Sequence, residues 1–221
     1  MKLSRISWIL ISVLIIMILV WIVAINRQSA SNNQPIKIGI STMLSGDWAS
    51  LGDNIVNAAK LAVADINSSG GINGRQVQLV VQDSGLDSKT GLSAAQKLID
   101  TDGVKYIIGG TSSNGTMAAA PVVNKDHVIY MTPVSGGTDI DGAGEYVFRT
   151  ANSDLLAGTD LAQAAYKLGY RKVDTITEVT SYTLDIDKTF DSTFKDQGGV
   201  ISVAEQFQPG TTDFRTISDL W

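Results

Sequence analysis

The residues best placed for chemistry lie in the loop Gly109-Gly110-Thr111-Ser112-Ser113-Asn114-Gly115-Thr116, which follows the apolar run Tyr106–Ile108 and opens a small-residue helix. A loop of this kind, at the carboxyl end of a parallel strand, offers several N–H and hydroxyl donors to an anion. Ser113 is the candidate anion-binding residue; the competing role is a helix N-cap that bonds only its own backbone. Other chemistries fare worse. The chain has no cysteine, which removes disulfides, thiolate nucleophiles, Cys-ligated zinc and a lipidated cysteine anchor. Its one histidine, His127, lies beside Asp126 between a helix and a strand and reads as solvated, so neither a His-rich metal site nor a His-based triad is expected. Lys89-Thr90-Gly91 and Ser192-Thr193-Phe194-Lys195 echo penicillin-recognising serine enzymes, but in reversed order and without the Ser-Asp-Asn element. Gly109-Gly110 and Gly115 are not followed by Gly-Lys-Ser/Thr, so no phosphate loop is present. Asp83 and Asp87 lack the spacing of a calcium loop. Asn67-Ser68-Ser69 and Asn114-Gly115-Thr116 match the glycosylation triplet at the level of chance. No enzyme, metal or cofactor is expected.

The elements that must position these groups alternate along the chain. Ile36–Ile40, Val77–Val81, Tyr106–Ile108 and Val128–Met131 read as strands. Ile55, Ala58, Ala59, Ala62, Val63 and Ile66 follow helical spacing and stop at Gly70-Gly71, and Leu92, Ala95, Leu98 and Ile99 mark a second helix ending near Gly103. This βαβαβαβ order predicts an α/β fold with a parallel sheet, and the continuously apolar strands predict helices on both faces. Val147–Thr150 reads as a crossing strand. A second α/β series follows, with a helix stripe at Leu161, Ala164, Ala165 and Leu168, a strand Lys172–Thr177, a stripe at Ile186, Phe190 and Phe194, a strand Val200–Phe207 and a helix starting over Asp213–Leu220. The second series is too short to close its own sheet, so the sequence reads as truncated.

Before these elements stands an uncharged run, Ile6–Ile25, preceded by Lys2 and Arg5 and followed by Arg27. Its length is about the twenty residues that cross a bilayer as a helix. The charge bias predicts an inside N-terminus and an exported remainder. Gln28-Ser29-Ala30-Ser31 is a poor cleavage site, so an uncleaved signal anchor is favoured over a cleaved signal peptide. The expected organisation is a signal anchor over 1–27, a linker over 28–35, a ligand-binding lobe over 36–150 and a partial second lobe over 151–221. The net charge of −5 and the absence of a basic stripe argue against nucleic acid as a partner. With 21 Gly and 4 Pro, the composition suits tight strand–helix loops and not a disordered linker.

The order of motifs resembles the type I periplasmic binding proteins, and most closely the receptors of branched-chain amino acid uptake transporters of the ATP-binding-cassette class. The resemblance is carried by Gly52–Asn67 with Gly70-Gly71-Ile72-Asn73-Gly74, by Tyr106-Ile107-Ile108-Gly109 with Ser112-Ser113, by Thr132-Pro133, and by Phe148-Arg149-Thr150 with Asp154 and Gly158. It implies two Rossmann-like lobes with parallel sheets, the second incomplete, clasping a solute in a cleft outside the cytoplasm and delivering it unchanged to a membrane permease. It implies that Ser113 meets the ligand carboxylate and that the Val134 carbonyl receives the ammonium. Gly136 stands where many members have a threonine, a role that a short shift would give to Ser135 or Thr138. Tyr182 aligns with a cleft tyrosine, although Tyr182-Thr183-Leu184-Asp185 replaces the usual Tyr-Gly-x-Gly. Trp48 and Leu51 are placed to wall the ligand side chain.

The function expected is a monomeric receptor for branched-chain or other small amino acids, held on the extracytoplasmic face by the N-terminal helix. The alternatives are a receptor for amides, urea or other small polar solutes, and a sensing ectodomain.

Overall fold

The alternation of short apolar runs with small-residue helices becomes two parallel sheets. The computed structural model describes residues 14–19, 21 and 34–215. Its elements are β1 (Ile36–Thr42), α1 (Ala49–Ser68), β2 (Val77–Asp83), α2 (Ser88–Gln96), a π-helical turn (Lys97–Thr101), β3 (Tyr106–Gly109), α3 (Ser113–Lys125), β4 (Ile129–Thr132), a 3₁₀ turn (Thr138–Gly142), β5 (Val147–Arg149), α4 (Asp154–Lys167), β6 (Lys172–Glu178), α5 (Ser181–Asp196) and β7 (Val200–Phe207). The first sheet has the order β2-β1-β3-β4-β5 and the second pairs β6 with β7. The order reverses at β1, which leaves a crevice between the carboxyl ends of β1 and β3 where doubly wound sheets bind ligands. The run read as a crossing strand is the edge of the first sheet: β5 pairs parallel with β4, Val147 opposite Tyr130 and Arg149 opposite Thr132.

Most of the apolar run Ile6–Ile25 lies outside the described residues; 14–19 and 21 are helical. Among the described residues no helix is long and apolar enough to cross a membrane. The helix expected over Asp213–Leu220 lies mostly outside them as well.

The chain divides into two compact units, residues 1–36 with 62–78 and residues 37–61 with 79–221. In the first, α1 ends at Gly70 and Gly71, both at positive φ. The Asn67 side chain then pins the start of β2, donating to the Val77 carbonyl at 2.9 Å and accepting from its N–H at 2.7 Å. Arg75 Nε donates to the Gln34 carbonyl at 2.8 Å and the Ile36 N–H to the Gln76 carbonyl at 2.8 Å.

In the second unit, Ile107, Tyr130 and Val147 lie in register across β3, β4 and β5 and form one core with Ala95 and Leu98 and with Ala119, Ala120 and Val123 of α3. The other face corrects an expectation. Tyr106 and Ile129 pair across it, as do Met131 and Phe148, yet they are 48, 41, 38 and 50% exposed. The strands are apolar on both sides, but at β3–β5 one side is buried and the other half-exposed among the described residues.

A smaller core joins Ala162 of α4 to Phe190 and Phe194 of α5, with the two phenyl rings stacked at 5.4 Å. Gly158 lets these helices touch. A Cβ there would sit 2.4 Å from the Ile186 carbonyl oxygen and 2.9 Å from the Phe190 nitrogen, both backbone atoms that cannot yield. Gly158→Ala is therefore expected to lower stability by about 1–3 kcal/mol through overpacking. Urea unfolding checks this, and an unchanged midpoint would show that α4 and α5 can separate freely.

Candidate ligand-binding site

The site is assembled at the carboxyl end of β3. Gly110 has φ +78°, and a Cβ on it would lie 2.0 Å from Thr116 Oγ1. Its N–H donates to the Ser41 carbonyl at 3.1 Å. Its carbonyl accepts from Thr132 Oγ1 at 2.5 Å and from the Ser135 hydroxyl. Thr132 Oγ1 in turn accepts from the Ser135 N–H at 2.9 Å. One glycine thus ties the ends of β1, β3 and β4 together.

From this junction α3 begins. Ser112 is the N-cap: its hydroxyl accepts from the Gly115 N–H at 3.1 Å and donates to the Leu86 carbonyl at 2.8 Å. Capping therefore falls to Ser112 and not to Ser113. The main-chain N–H groups of Ser113 and Asn114 have no acceptor among the described residues. Ser113 Oγ accepts from the Gly137 N–H at 3.1 Å, which leaves its own proton free to donate.

These groups open on a cavity of about 500 Å³ lined by Met43, Trp48, Leu51, Leu86, Asp87, Thr111, Ser112, Ser113, Asn114, Val134, Ser135, Gly136, Glu178, Thr180, Tyr182 and Pro209. The residues singled out from the sequence, Ser113, Val134, Ser135, Gly136, Tyr182, Leu51 and Trp48, all lie on its wall. The proposed replacements for the missing threonine are occupied elsewhere. The Ser135 hydroxyl is committed to Gly110 and lies 2.9 Å from Thr116 Oγ1. Thr138 is not on the wall, and its N–H and hydroxyl donate to Asp185 Oδ2 at 2.7 and 2.9 Å.

Thr111, Ser112 and Asn114 of the loop after β3 also line the cavity, whereas sequence reasoning missed Met43, Leu86, Asp87, Glu178, Thr180 and Pro209 as wall residues. Their common signal is position, since each follows a strand or closes its carboxyl end. Among the described residues the wall includes two acidic residues, Asp87 and Glu178, and no Lys, Arg or His. Asp87 caps α2, accepting from the Lys89 and Thr90 N–H groups. The Thr90 hydroxyl and N–H hold its carboxyl below the usual range, so it stays ionised. Asp83, set aside with Asp87 as a metal pair on its spacing, accepts from the Leu44 and Gly85 N–H groups at 3.0 Å each, which also lowers its pKa.

Behind the wall is a buried acid. Asp154, 5% exposed, lies so close to Gly136 that a Cβ on the glycine would fall 2.1 Å from Asp154 Oδ1. A threonine side chain has no room at 136, which accounts for the glycine. The Gly136 carbonyl accepts from the Asp154 N–H at 2.9 Å and from Arg149 Nη1 at 2.9 Å, and Arg149 also pairs with Asp141 at 2.7 Å. Asp154 Oδ2 has no partner among the described residues. Burial, then the Asp185 charge, push its pKa up to about 6; Arg149 opposes this and Asp139 adds to it.

Two further contacts reach the N-terminal end of α5. Asn114 Oδ1 accepts from the Ser181 hydroxyl at 2.6 Å and its N–H at 3.2 Å, and Asp185 holds Thr138 as above.

The Asp154 shift fixes a pH dependence. An acid whose folded pKa lies above its unfolded value binds more protons in the fold, so stability falls as pH rises from about 3.8 through about 6 and then levels off. Asp154→Asn is expected to be more stable than the parent by on the order of 1–3 kcal/mol at pH 7, with the gain vanishing near pH 4. Thermal unfolding at both pH values checks it; a gain of equal size at both would place the effect elsewhere.

A family profile described as Periplasmic binding protein matches residues 35–218. The chain is 30% identical over 185 residues to Leu/Ile/Val-binding protein homolog 3 of Brucella melitensis biotype 1, covering 82% of this chain and 50% of that protein. It is similar to the branched-chain amino acid transporter substrate binding protein LivJ of Streptococcus pneumoniae in complex with isoleucine, with TM-score 0.76, 29% identity and coverage of 84% of this chain and 53% of that one. It is also similar to an ABC transporter solute binding protein of R. palustris in complex with 4-hydroxybenzoate, with TM-score 0.78, 26% identity and coverage of 84% and 50%. The chain spans about half the length of the curated relatives it matches.

Proposed function

The chain belongs to the periplasmic binding protein family, and on that premise we propose that it is an extracytoplasmic receptor of an ATP-binding-cassette uptake transporter, taking a small zwitterionic amino acid of the branched-chain class or similar size. The observation that carries this reading is the charge layout of the cavity wall. Among the described residues, unpaired N–H donors stand at the start of α3, Asp87 and Glu178 stand on the same wall, and no cationic side chain lines it. A carboxylate suits the α3 terminus, where the Ser113 hydroxyl and the Ser113 and Asn114 N–H groups converge and the helix dipole adds to them. An ammonium suits the acids and the Val134 carbonyl. Met43, Trp48, Leu51, Leu86 and the Tyr182 ring supply apolar surface for the rest of the molecule.

The same layout disfavours an aromatic carboxylate of the kind held by the R. palustris relative. Such a ligand brings one negative charge and no ammonium to meet Asp87 and Glu178. The receptor performs no chemistry; it closes on its solute, between a lobe over 36–150 and a second lobe that begins at 151, and hands it to a membrane permease. The apolar run Ile6–Ile25, with Lys2 and Arg5 before it, supports an anchor that keeps the receptor beside that permease.

Calorimetric titration of the full chain with leucine, isoleucine, valine, small amides and 4-hydroxybenzoate tests the reading. Saturable binding of amino acids and none of hydroxybenzoate is the expected result; a flat response to every amino acid ends it. Ser113→Ala is expected to weaken amino acid binding by roughly 1–3 kcal/mol, and unchanged affinity refutes the role of that hydroxyl. For the anchor, the full chain is expected in the carbonate-washed membrane fraction and a form lacking residues 1–27 in the soluble one. Equal partition of the two excludes anchoring by that segment.

A further inference from the structure

Asn114 uses its main chain and its side chain for different ends. It lies in the first turn of α3, where its main-chain N–H has no acceptor among the described residues and stands next to Ser113 on the cavity wall. Its side chain is spent on another helix. Oδ1 accepts from the Ser181 hydroxyl at 2.6 Å and from the Ser181 N–H at 3.2 Å, across 67 residues of sequence. The second bond fixes which way the amide faces, since an amide nitrogen cannot accept from an N–H. Among the described residues these are the hydrogen bonds that join α3 to α5.

Ser181 is the first residue of α5, directly after the N-cap Thr180. The Thr180 hydroxyl accepts from the Thr183 N–H at 3.3 Å, so the Ser181 N–H remains one of the orphan donors that every helix start carries. Asn114 satisfies it from outside the helix. The two neighbours of Ser181 in sequence, Thr180 and Tyr182, are both wall residues. A bond to Ser181 therefore sets where those two stand. On the upstream side the same segment is held to the second sheet, with the Val179 N–H donating to the Phe207 carbonyl at 2.8 Å. Asn114 supplies the remaining tie, and it runs from the residue whose own N–H faces the head group of an amino acid.

We propose that Asn114 is a positioning residue: its main-chain N–H serves the solute carboxylate, while its side chain, acting through Ser181, holds Tyr182 against the solute side chain. This deepens the receptor reading above and rests on it. Recognition of the head group and of the side chain then share one residue, and the two roles separate by mutation. Every substitution except proline keeps the main-chain N–H. Asn114→Ala therefore removes the tie and leaves the carboxylate donor in place. Ser181→Ala removes the hydroxyl half of the same tie from the other side, and alanine suits a helix start of this kind without competing for the backbone.

The test compares two amino acids with one head group and different side chains, L-leucine and L-alanine. Dissociation constants for both are measured by calorimetry on the full chain, as the parent, Asn114→Ala, Ser181→Ala, Tyr182→Ala and the Asn114→Ala/Tyr182→Ala double variant. Asn114→Ala and Ser181→Ala are each expected to weaken leucine by roughly three- to tenfold and alanine by less than about twofold. In the Tyr182→Ala background, Asn114→Ala is expected to cost leucine less than about twofold more, because the tie then has no ring to place. A variant that merely loosens the fold weakens both amino acids alike, so the leucine-to-alanine ratio is the readout. Ser181→Ala carries the test if Asn114→Ala does not fold, since it leaves α3 untouched. Equal losses for the two amino acids overturn the proposal, as do losses that add in the double variant or a leucine affinity unchanged in both single variants. Each of these leaves the receptor reading standing, because the parent still binds. A parent that binds neither amino acid overturns both.

Discussion

The carbonyl oxygen of Gly110 is the point on which the site depends. It takes two hydroxyl donors, from Thr132 and Ser135, at the place where β3 hands the chain to α3. Backbone amides at the ends of parallel strands point in different directions, and without a common acceptor each loop would be free to choose its own path. With it, the loop after β4 is fixed relative to the start of α3, and Ser113 can meet Gly137 across 24 residues of sequence. The requirement then propagates. Gly110 must be glycine because Thr116 fills the space a Cβ would need, and Thr116 is held there by Ser112 and Ser135. A receptor that offers amides to a solute needs those amides rigid before the solute arrives, since ordering them on binding would oppose affinity.

The wall around Gly136 carries a cost that the fold tolerates. An ionisable side chain is buried with an unpaired oxygen, near a second acid in Asp185, and only Arg149 offsets it. What it secures is position. The carboxyl group stands where a side chain at 136 would go, so the cavity boundary at that point is bare backbone. Arg149 grips the same Gly136 carbonyl from the edge strand and reaches Asp141 beyond it. The binding surface is thus shaped from behind by charges that never line it.

The sheet and helices were legible because their signals are local. Ile36–Ile40, Tyr106–Ile108 and Val200–Phe207 lie within the observed strands, since β-branched runs between small-residue loops have few other uses. Gly70-Gly71 ends α1 as their positions imply. The π-helical turn at Lys97–Thr101 was not legible, because Leu98 and Ile99 fit ordinary helical spacing as well. Nor was the partial exposure of Tyr106, Ile129, Met131 and Phe148. Composition shows that a strand can be buried on both sides, but not whether another element lies over it. At the site, the neighbourhood of Ser113, Val134, Gly136 and Tyr182 could be read from motif order, whereas the partners could not. Thr138 finds Asp185 across 47 residues. The glycine at 136 was visible as a departure; its cause, Asp154, is visible only in three dimensions.

The contacts at α5 have a mechanical consequence. The region after β5 joins the first sheet covalently through residues 150–153, and α5 adds Ser181 on Asn114 and Asp185 on Thr138, one helical turn apart. A rigid body resting on a tripod has no degrees of freedom left. Remove either non-covalent leg and it can swing about the line through the other two. The two contacts, one turn apart on α5, thereby set at how many points that helix is tied to the start of α3 and to the loop after β4.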